Sequence, residues 1–109
     1  MIQQSARTEL VNGLREIFKD KVLSIILYGS VARNEETTDS DVDIAVVLSD
    51  QMSGDERAAF IDLATRLDLT YDRVFSIIDI EKSMLDRWGE VLPFYRNIQN
   101  EGVVLWTAA

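Results

Sequence analysis

The chain has 109 residues, a formal net charge of −8, no histidine and no cysteine. This length predicts one domain over residues 1–109, and the missing side chains exclude disulfides, zinc–thiolate sites, thiol nucleophiles and Ser–His triads. The acidic charge argues against direct binding of nucleic acid, because such binding needs Lys and Arg to neutralise phosphates. Any catalysis must therefore depend on carboxylates and a bound metal.

The spacing of apolar residues predicts helices and strands along the whole chain. A capping-box sequence at Ser53 marks the start of one helix, and Pro93 suits the first position of another, with Gly102 at its end. In chain order, the predicted elements are a helix over residues 3–19, a strand over 22–28, a short helix or turn over 32–36, a strand over 42–48, a helix over 53–68, a strand over 72–79, a helix over 81–88, a short helix from Pro93 and an edge strand or docked tail over 103–106.

This order of elements predicts an α/β (α+β) fold with a small mixed sheet and flanking helices. The helix over 53–68 is long enough to connect two parallel strands, and the short connection before it permits an antiparallel pair of strands. No run approaches the roughly 18 apolar residues of a membrane span, and the N-terminus lacks the apolar segment of a signal peptide. We therefore expect a cytoplasmic protein without a membrane partner.

Two short motifs carry the chemistry. Gly29 and Ser30 follow the first strand, and Asp41 and Asp43 open the second. Side chains at i and i+2 of a strand share a face about 6–7 Å apart, so the two carboxylates point the same way. If the two strands are antiparallel, the turn and the acids meet. Oxygen ligands for a cation then lie beside backbone donors for a phosphate.

A third carboxylate depends on the direction of the third strand. If that strand is parallel to the second, its start at Asp72 lies at the same end of the sheet as Asp41 and Asp43. If it is antiparallel, Asp79 takes that place instead. We take the parallel arrangement and predict Asp72 as the third acid.

The three acids Asp41, Asp43 and Asp72 would repel one another unless a cation kept them ionised. We predict Mg²⁺ as that cation, with two ions clamping an in-line displacement. Asp41 and Asp43 would hold the metal, and Asp72 would complete its shell or accept a proton. Gly29, Ser30 and Arg33 would bind the phosphates of a nucleoside triphosphate, although Arg33 could instead pair with the glutamates at positions 35 and 36.

The sequence Gly29-Ser30-x-Ala32-Arg33, followed by Ser40-Asp41-x-Asp43, resembles the minimal nucleotidyltransferase (MNT) family of the DNA polymerase beta superfamily. Segments over 71–72, 93–98 and 101–105 are similar to family segments as well. One position departs from the family pattern, because Asn34 stands where glycine usually follows the Ala-Arg pair.

The resemblance implies transfer of a nucleoside monophosphate, usually AMP from ATP, with Mg²⁺ and release of pyrophosphate. Family members of this length resemble antitoxins whose partner is a helical HEPN-type ribonuclease toxin. In such modules a tyrosine hydroxyl of the toxin is adenylylated, which silences the toxin. The surface that binds the acceptor would then come from the partner or from a second copy of the chain in a homo-oligomer.

Other interpretations compete with this one. Asp39, Asp41 and Asp43 also match the start of a calcium loop, but that loop requires glycine and glutamate where the chain has Ile44 and Asp50. We interpret Asp39 as a turn or capping residue. The protein could also be a non-catalytic module that neutralises its partner by occlusion, or a transferase acting on a small-molecule hydroxyl.

Aromatic residues are concentrated near the end of the chain. We expect Trp106 to lie in the core and part of the segment over 86–97 to face a partner.

Overall fold

The computed structural model describes residues 2–33 and 40–108. Within them the chain forms a four-stranded mixed sheet with helices on both faces, which confirms the predicted fold class. The elements are α1 (Gln4–Phe18), a 3₁₀ turn (Lys19–Lys21), β1 (Val22–Tyr28), α2 (Gly29–Ala32), β2 (Val42–Leu48), α3 (Gly54–Tyr71), β3 (Phe75–Glu81), α4 (Lys82–Trp88), α5 (Pro93–Glu101) and β4 (Val103–Thr107).

The strands lie in the order β3-β2-β1-β4, so β1 and β2 are the two inner strands. Strand β1 pairs antiparallel with both β2 and β4. Strand β2 pairs parallel with β3, because α3 returns the chain to the end of the sheet at which β2 begins. Both predicted pairings of β2 are therefore confirmed.

The alternation of side chains along β2 divides the interior into two layers. Val42, Ile44, Val46 and Leu48 belong to a large core under α1 and α3. Ala45 and Val47 face the other way, into a smaller cluster under α4 and α5. The buried members of the smaller cluster are Ile26, Ala45, Val47, Ile80, Leu85 and Ile98.

The predicted starts of two elements were wrong. The short helix α2 starts at Gly29 itself, not at Ala32, and its expected continuation over 34–36 lies outside the described residues. The third strand starts at Phe75, not at Asp72. The helix before it continues to Tyr71, and Asp72 ends that helix in the left-handed region with φ of 52°.

The late start of β3 has a physical reason, which is a hydrogen bond between a side chain of α3 and the backbone of Phe75. The carboxylate of Asp68 accepts a hydrogen bond from the backbone N–H of Phe75 at 2.7 Å. This bond fixes the turn between helix and strand, so residues 72–74 form the turn and the strand begins only at Phe75. None of the helices in the described ranges is long and apolar enough to cross a membrane.

The start of α3 forms the capping box that the sequence predicted. The Ser53 hydroxyl accepts the N–H of Glu56, and the Glu56 carboxylate accepts the N–H of Ser53. Lys21 Nζ also donates to Glu56 at 2.7 Å, which links the end of the 3₁₀ turn to α3. The hydrogen bond from Lys21 and the backbone N–H of Ser53 hold the pKa of Glu56 below its ordinary value of 4.5.

We expect Glu56→Gln to lower the free energy of unfolding at neutral pH. Because the folded-state pKa of Glu56 is lowered, its ionised form stabilises the fold above about pH 4.5, and that contribution is lost as pH falls through the folded-state pKa. The difference between wild type and variant should therefore narrow below pH 4.5. Urea unfolding at several pH values measures it, and a difference independent of pH would contradict the expectation.

Candidate active site

The candidate site lies where β1 ends. Tyr28 is the last residue of β1, and Gly29 then adopts a left-handed backbone with φ of 76°. Glycine adopts this conformation without the steric penalty that a Cβ atom brings. The chain can therefore leave the sheet at once and enter α2, which carries Ser30.

Asp43 packs directly against this turn. The antiparallel register pairs Tyr28 with Asp43. A Cβ atom placed on Gly29 would lie 3.2 Å from Cγ of Asp43 and closer still to its Oδ2. Only a glycine therefore allows the carboxylate to occupy its place, and the predicted meeting of the Gly29–Ser30 turn with Asp43 is confirmed.

The two acids of the motif differ in environment. Asp41 is exposed and precedes β2, whereas Asp43 is half-buried within it. Burial raises the pKa of the Asp43 carboxyl, the Asp41 carboxylate raises it further, and the guanidinium of Arg33 lowers it. The ionised form of Asp43 is thus disfavoured by its surroundings and by a like charge, which only Arg33 partly offsets.

Arg33 stands at the end of α2, and its backbone N–H donates to Gly29 O at 3.2 Å. Its NH1 lies 3.8 Å from Glu101 Oε2 at the end of α5, and both side chains are about half exposed. An exposed pair of this kind contributes about 0–1 kcal/mol. The glutamates at 35 and 36, together with Asn34 and Asp39, lie outside the described residues.

Asp72 is in a different position from the one we predicted. It is exposed at the end of α3, three residues before β3 begins. Within residues 2–33 and 40–108, no group of three or more acidic, His or Cys side chains is placed to hold a metal ion. The predicted three-acid cluster is therefore not formed there.

The segment after Asp72 nevertheless joins the start of β2. Arg73 NH2 donates to Ser40 O at 3.1 Å, and the N–H of Val42 donates to Val74 O at 2.8 Å. Asp79, the alternative third acid, pairs with Val46, three residues along β2 from Asp43. Asp72 is thus at the site's end of the sheet, whereas Asp79 is not.

Comparison with known proteins identifies the family. Residues 12–108 match the family described as "Polymerase beta, Nucleotidyltransferase". The chain belongs to this nucleotidyltransferase family. It is 34% identical over 110 residues to a Methanocaldococcus jannaschii protein, with 97% of this chain and all of the relative covered. A second protein of that organism is 30% identical over 95 residues, covering 87% of this chain and 90% of the relative. Both carry the name "Putative protein adenylyltransferase".

Solved structures show that the nucleotidyltransferase shares its fold with chains from toxin–antitoxin complexes. One, from a toxin–antitoxin with AMP-PNP, has a TM-score of 0.64 at 22% identity and covers 94% of this chain and 73% of that one. Another, from the complex of tri-AMPylated Shewanella oneidensis HEPN toxin with MNT antitoxin, has a TM-score of 0.61 at 22% identity and covers 98% and 74%. The predicted nucleotidyltransferase-like fold is therefore confirmed.

The acids of this nucleotidyltransferase suit a divalent cation. Mg²⁺ prefers oxygen ligands and is commonly held by one or two carboxylates, with waters and substrate phosphates in the remaining positions. Asp41 and Asp43 supply the carboxylates, and a cation between them would offset the repulsion that raises the pKa of Asp43. The residues present therefore fit a magnesium site.

Two further side chains flank Asp43 in the sheet. Tyr28 pairs with it on β1 and Ser76 pairs with it on β3. Paired residues share a face, so Tyr28, Asp43 and Ser76 form a row across three strands. Sequence reasoning gave neither Tyr28 nor Ser76 a role at the site, since only the register between strands places them beside Asp43.

An exposed apolar patch borders the row. Phe94 lies edge-on to Tyr28, with ring centroids 5.8 Å apart, and its side chain is 48% exposed. Val91 and Leu92 just before it are also exposed, and it stays a prediction that part of the 86–97 segment faces a partner. Trp106 packs against the larger core, as predicted.

Proposed function

We propose that this protein transfers AMP from ATP to a hydroxyl group of a partner protein. The observation that carries the proposal is the close approach of Asp43 to the Gly29 turn. It sets a carboxylate beside the place where Ser30 and Arg33 would hold a triphosphate. Arg33 acts electrostatically on the Asp43 carboxyl, so a cationic group, a carboxylate and the turn adjoin one another.

Each residue of the site would have its own role in the transfer. Ser30 and Arg33 would bind phosphate oxygens, and Asp41 and Asp43 would hold Mg²⁺, which stabilises negative charge on the phosphates when bound. The acceptor oxygen forms a bond to the α-phosphorus of ATP while the bond to the β-phosphate bridge breaks and pyrophosphate leaves. Asp72, outside any described group of three acids, would accept the proton of the acceptor hydroxyl.

A protein acceptor is favoured by two features. A chain of 109 residues whose described part builds a single four-stranded sheet leaves little surface to enclose a small-molecule acceptor, so part of the acceptor site would come from the partner. The exposed patch of Val91, Leu92 and Phe94 adjoins Tyr28 and offers an apolar surface for it. The partner we propose is a HEPN-type toxin and the acceptor one of its tyrosines, since the fold is shared with chains of such complexes.

Label transfer tests the proposal. The protein is incubated with Mg²⁺, a HEPN-type toxin and ATP labelled at the α-phosphate. We expect label on a toxin tyrosine, and none when the label is on the γ-phosphate, because pyrophosphate leaves. The matched variant is Asp41→Asn/Asp43→Asn, which keeps side-chain size and removes both charges. Transfer that persists in this variant would contradict the metal role.

Neutralisation of the toxin's ribonuclease activity is a second measurement, and it distinguishes AMP transfer from the occlusion hypothesis. The exposed apolar patch would suit a surface that covers the toxin without modifying it. In that case the double variant would still neutralise toxin ribonuclease activity fully. If the proposal holds, neutralisation is lost together with label transfer.

A further inference from the structure

The row across the sheet contains a hydroxyl beside Asp43, at a place where residues 2–33 and 40–108 supply no third acid. Strands β2 and β3 are parallel and pair Asp43 with Ser76. Neighbouring strands lie about 4.8 Å apart, so Ser76 is the side chain of β3 that can reach the same cation as Asp43. It is half-buried, like Asp43.

The other polar candidates are less well placed. Asp72 precedes β3 by three residues and is exposed, and Asp79 pairs with Val46 further along β2. Neither joins Asp41 and Asp43 in a group of three acids within the described residues. On β3, Ser76 alone pairs with Asp43.

We propose that Ser76 is the third side chain of the metal site, so that the site offers two carboxylates and one neutral hydroxyl. This inference rests on the proposed function, because it assigns a residue to the same site. A serine hydroxyl is a suitable ligand for Mg²⁺, directly or through a bound water. With one charge fewer than a three-carboxylate site, the site binds the cation weakly until ATP phosphates add their own oxygens.

The test adds or removes a ligand at position 76 and measures binding of Mn²⁺ alone by calorimetry, without ATP. Since affinity rises with the number of charged ligands, we expect Ser76→Asp to bind Mn²⁺ about tenfold more tightly. Ser76→Ala, which removes the hydroxyl, should bind about threefold more weakly.

Ser24→Asp is the matched control. Ser24 is also a half-buried serine on the same face of the sheet, but it pairs with Val47, four residues along β2 from Asp43 and thus about 13 Å away. Ser24→Asp adds the same negative charge as Ser76→Asp, also at a half-buried position of the sheet. Equal tightening by Ser24→Asp and Ser76→Asp would overturn the proposal, because the gain would then reflect net charge alone.

The tighter Mn²⁺ binding expected for Ser76→Asp must also depend on Asp43. In the Ser76→Asp background, Asp43→Asn should remove the tighter binding, so that the two changes are not additive. If Ser76→Asp fails to fold, Ser76→Ala decides the question, since it is smaller than serine. Unchanged Mn²⁺ affinity in Ser76→Ala would overturn the proposal.

The two proposals can fail separately. If Asp43→Asn in the wild-type background leaves Mn²⁺ binding unchanged, the metal site of the proposed function is wrong. If Asp43→Asn weakens binding and changes at Ser76 do not affect it, only the assignment of Ser76 is wrong. Asp72→Asn should reduce label transfer without changing Mn²⁺ affinity, and the reverse pattern would make Asp72 the third ligand in place of Ser76.

Discussion

Replacing Gly29 with alanine is expected to reduce AMP transfer by at least about 100-fold. The added Cβ would meet the Asp43 carboxylate, with Cγ at 3.2 Å, and a displacement of about 1 Å at a reacting centre can cost 100-fold in rate. The alanine must also adopt a left-handed backbone, φ being 76°, which costs about 1–2 kcal/mol. Single-turnover transfer and urea unfolding measure the two effects.

Gly54→Ala is the control for this prediction. Gly54 is the first residue of α3, and a Cβ atom there meets no other atom within 4 Å. The substitution should leave transfer unchanged and should not destabilise the fold, because alanine reduces the freedom of the unfolded chain. Equal activity of Gly29→Ala and Gly54→Ala would show that the packing of Asp43 against the turn is not needed for transfer.

Asp43→Asn is expected to lower transfer by about 100- to 1000-fold, the range seen when one preorganised electrostatic group is removed from a site. Without metal, the same variant should be at least as stable as wild type. Asp43 is partly buried beside Asp41, which raises the pKa of its carboxyl, so its charge destabilises the folded state. Thermal unfolding in chelator and transfer assays in Mg²⁺ measure the two quantities.

Asp43→Asn is thus expected to keep or raise stability and to lower activity. This combination is typical of a residue that serves function and not the fold. Ile44→Val is a suitable comparison, because Ile44 is the next residue of β2 and is fully buried in the larger core. This variant should lose about 0.5–1.5 kcal/mol of stability and keep its transfer activity. A destabilised Asp43→Asn with normal transfer would contradict our assignment of the site.

The inner strands could be predicted because their signals are local. The ranges 22–28 and 42–48 were predicted to the residue, since each is rich in aliphatic residues and interrupted by a single polar one, Ser24 or Asp43, the first being bounded by Gly29 and the second by Asp41. The direction of β3 was also predictable, because a long helix between two strands favours a parallel connection. These elements place Gly29 beside Asp43.

The start of β3 could not be read in the same way. No glycine marks the end of α3, since Asp72 takes the left-handed position itself, and the bond from Phe75 to Asp68 is a tertiary contact. The position of Ser76 depends on the register of two strands, which an apolar run does not specify. The sequence therefore indicated Asp41 and Asp43 but not their neighbour on β3.

The alternation along β2 protects the candidate site from mispairing. Asp41 and Asp43 fall on odd positions, and the four side chains of the larger core fall on even ones. A slip of one residue would turn every side chain of the strand to the opposite face, burying both acids under α1 and α3 and moving four aliphatic residues out of the larger core to the face covered by α4 and α5. Burial of the aliphatic side chains in the larger core therefore fixes the register of β2. The same register places Asp41 and Asp43 at the site, so no further interaction is needed to position them.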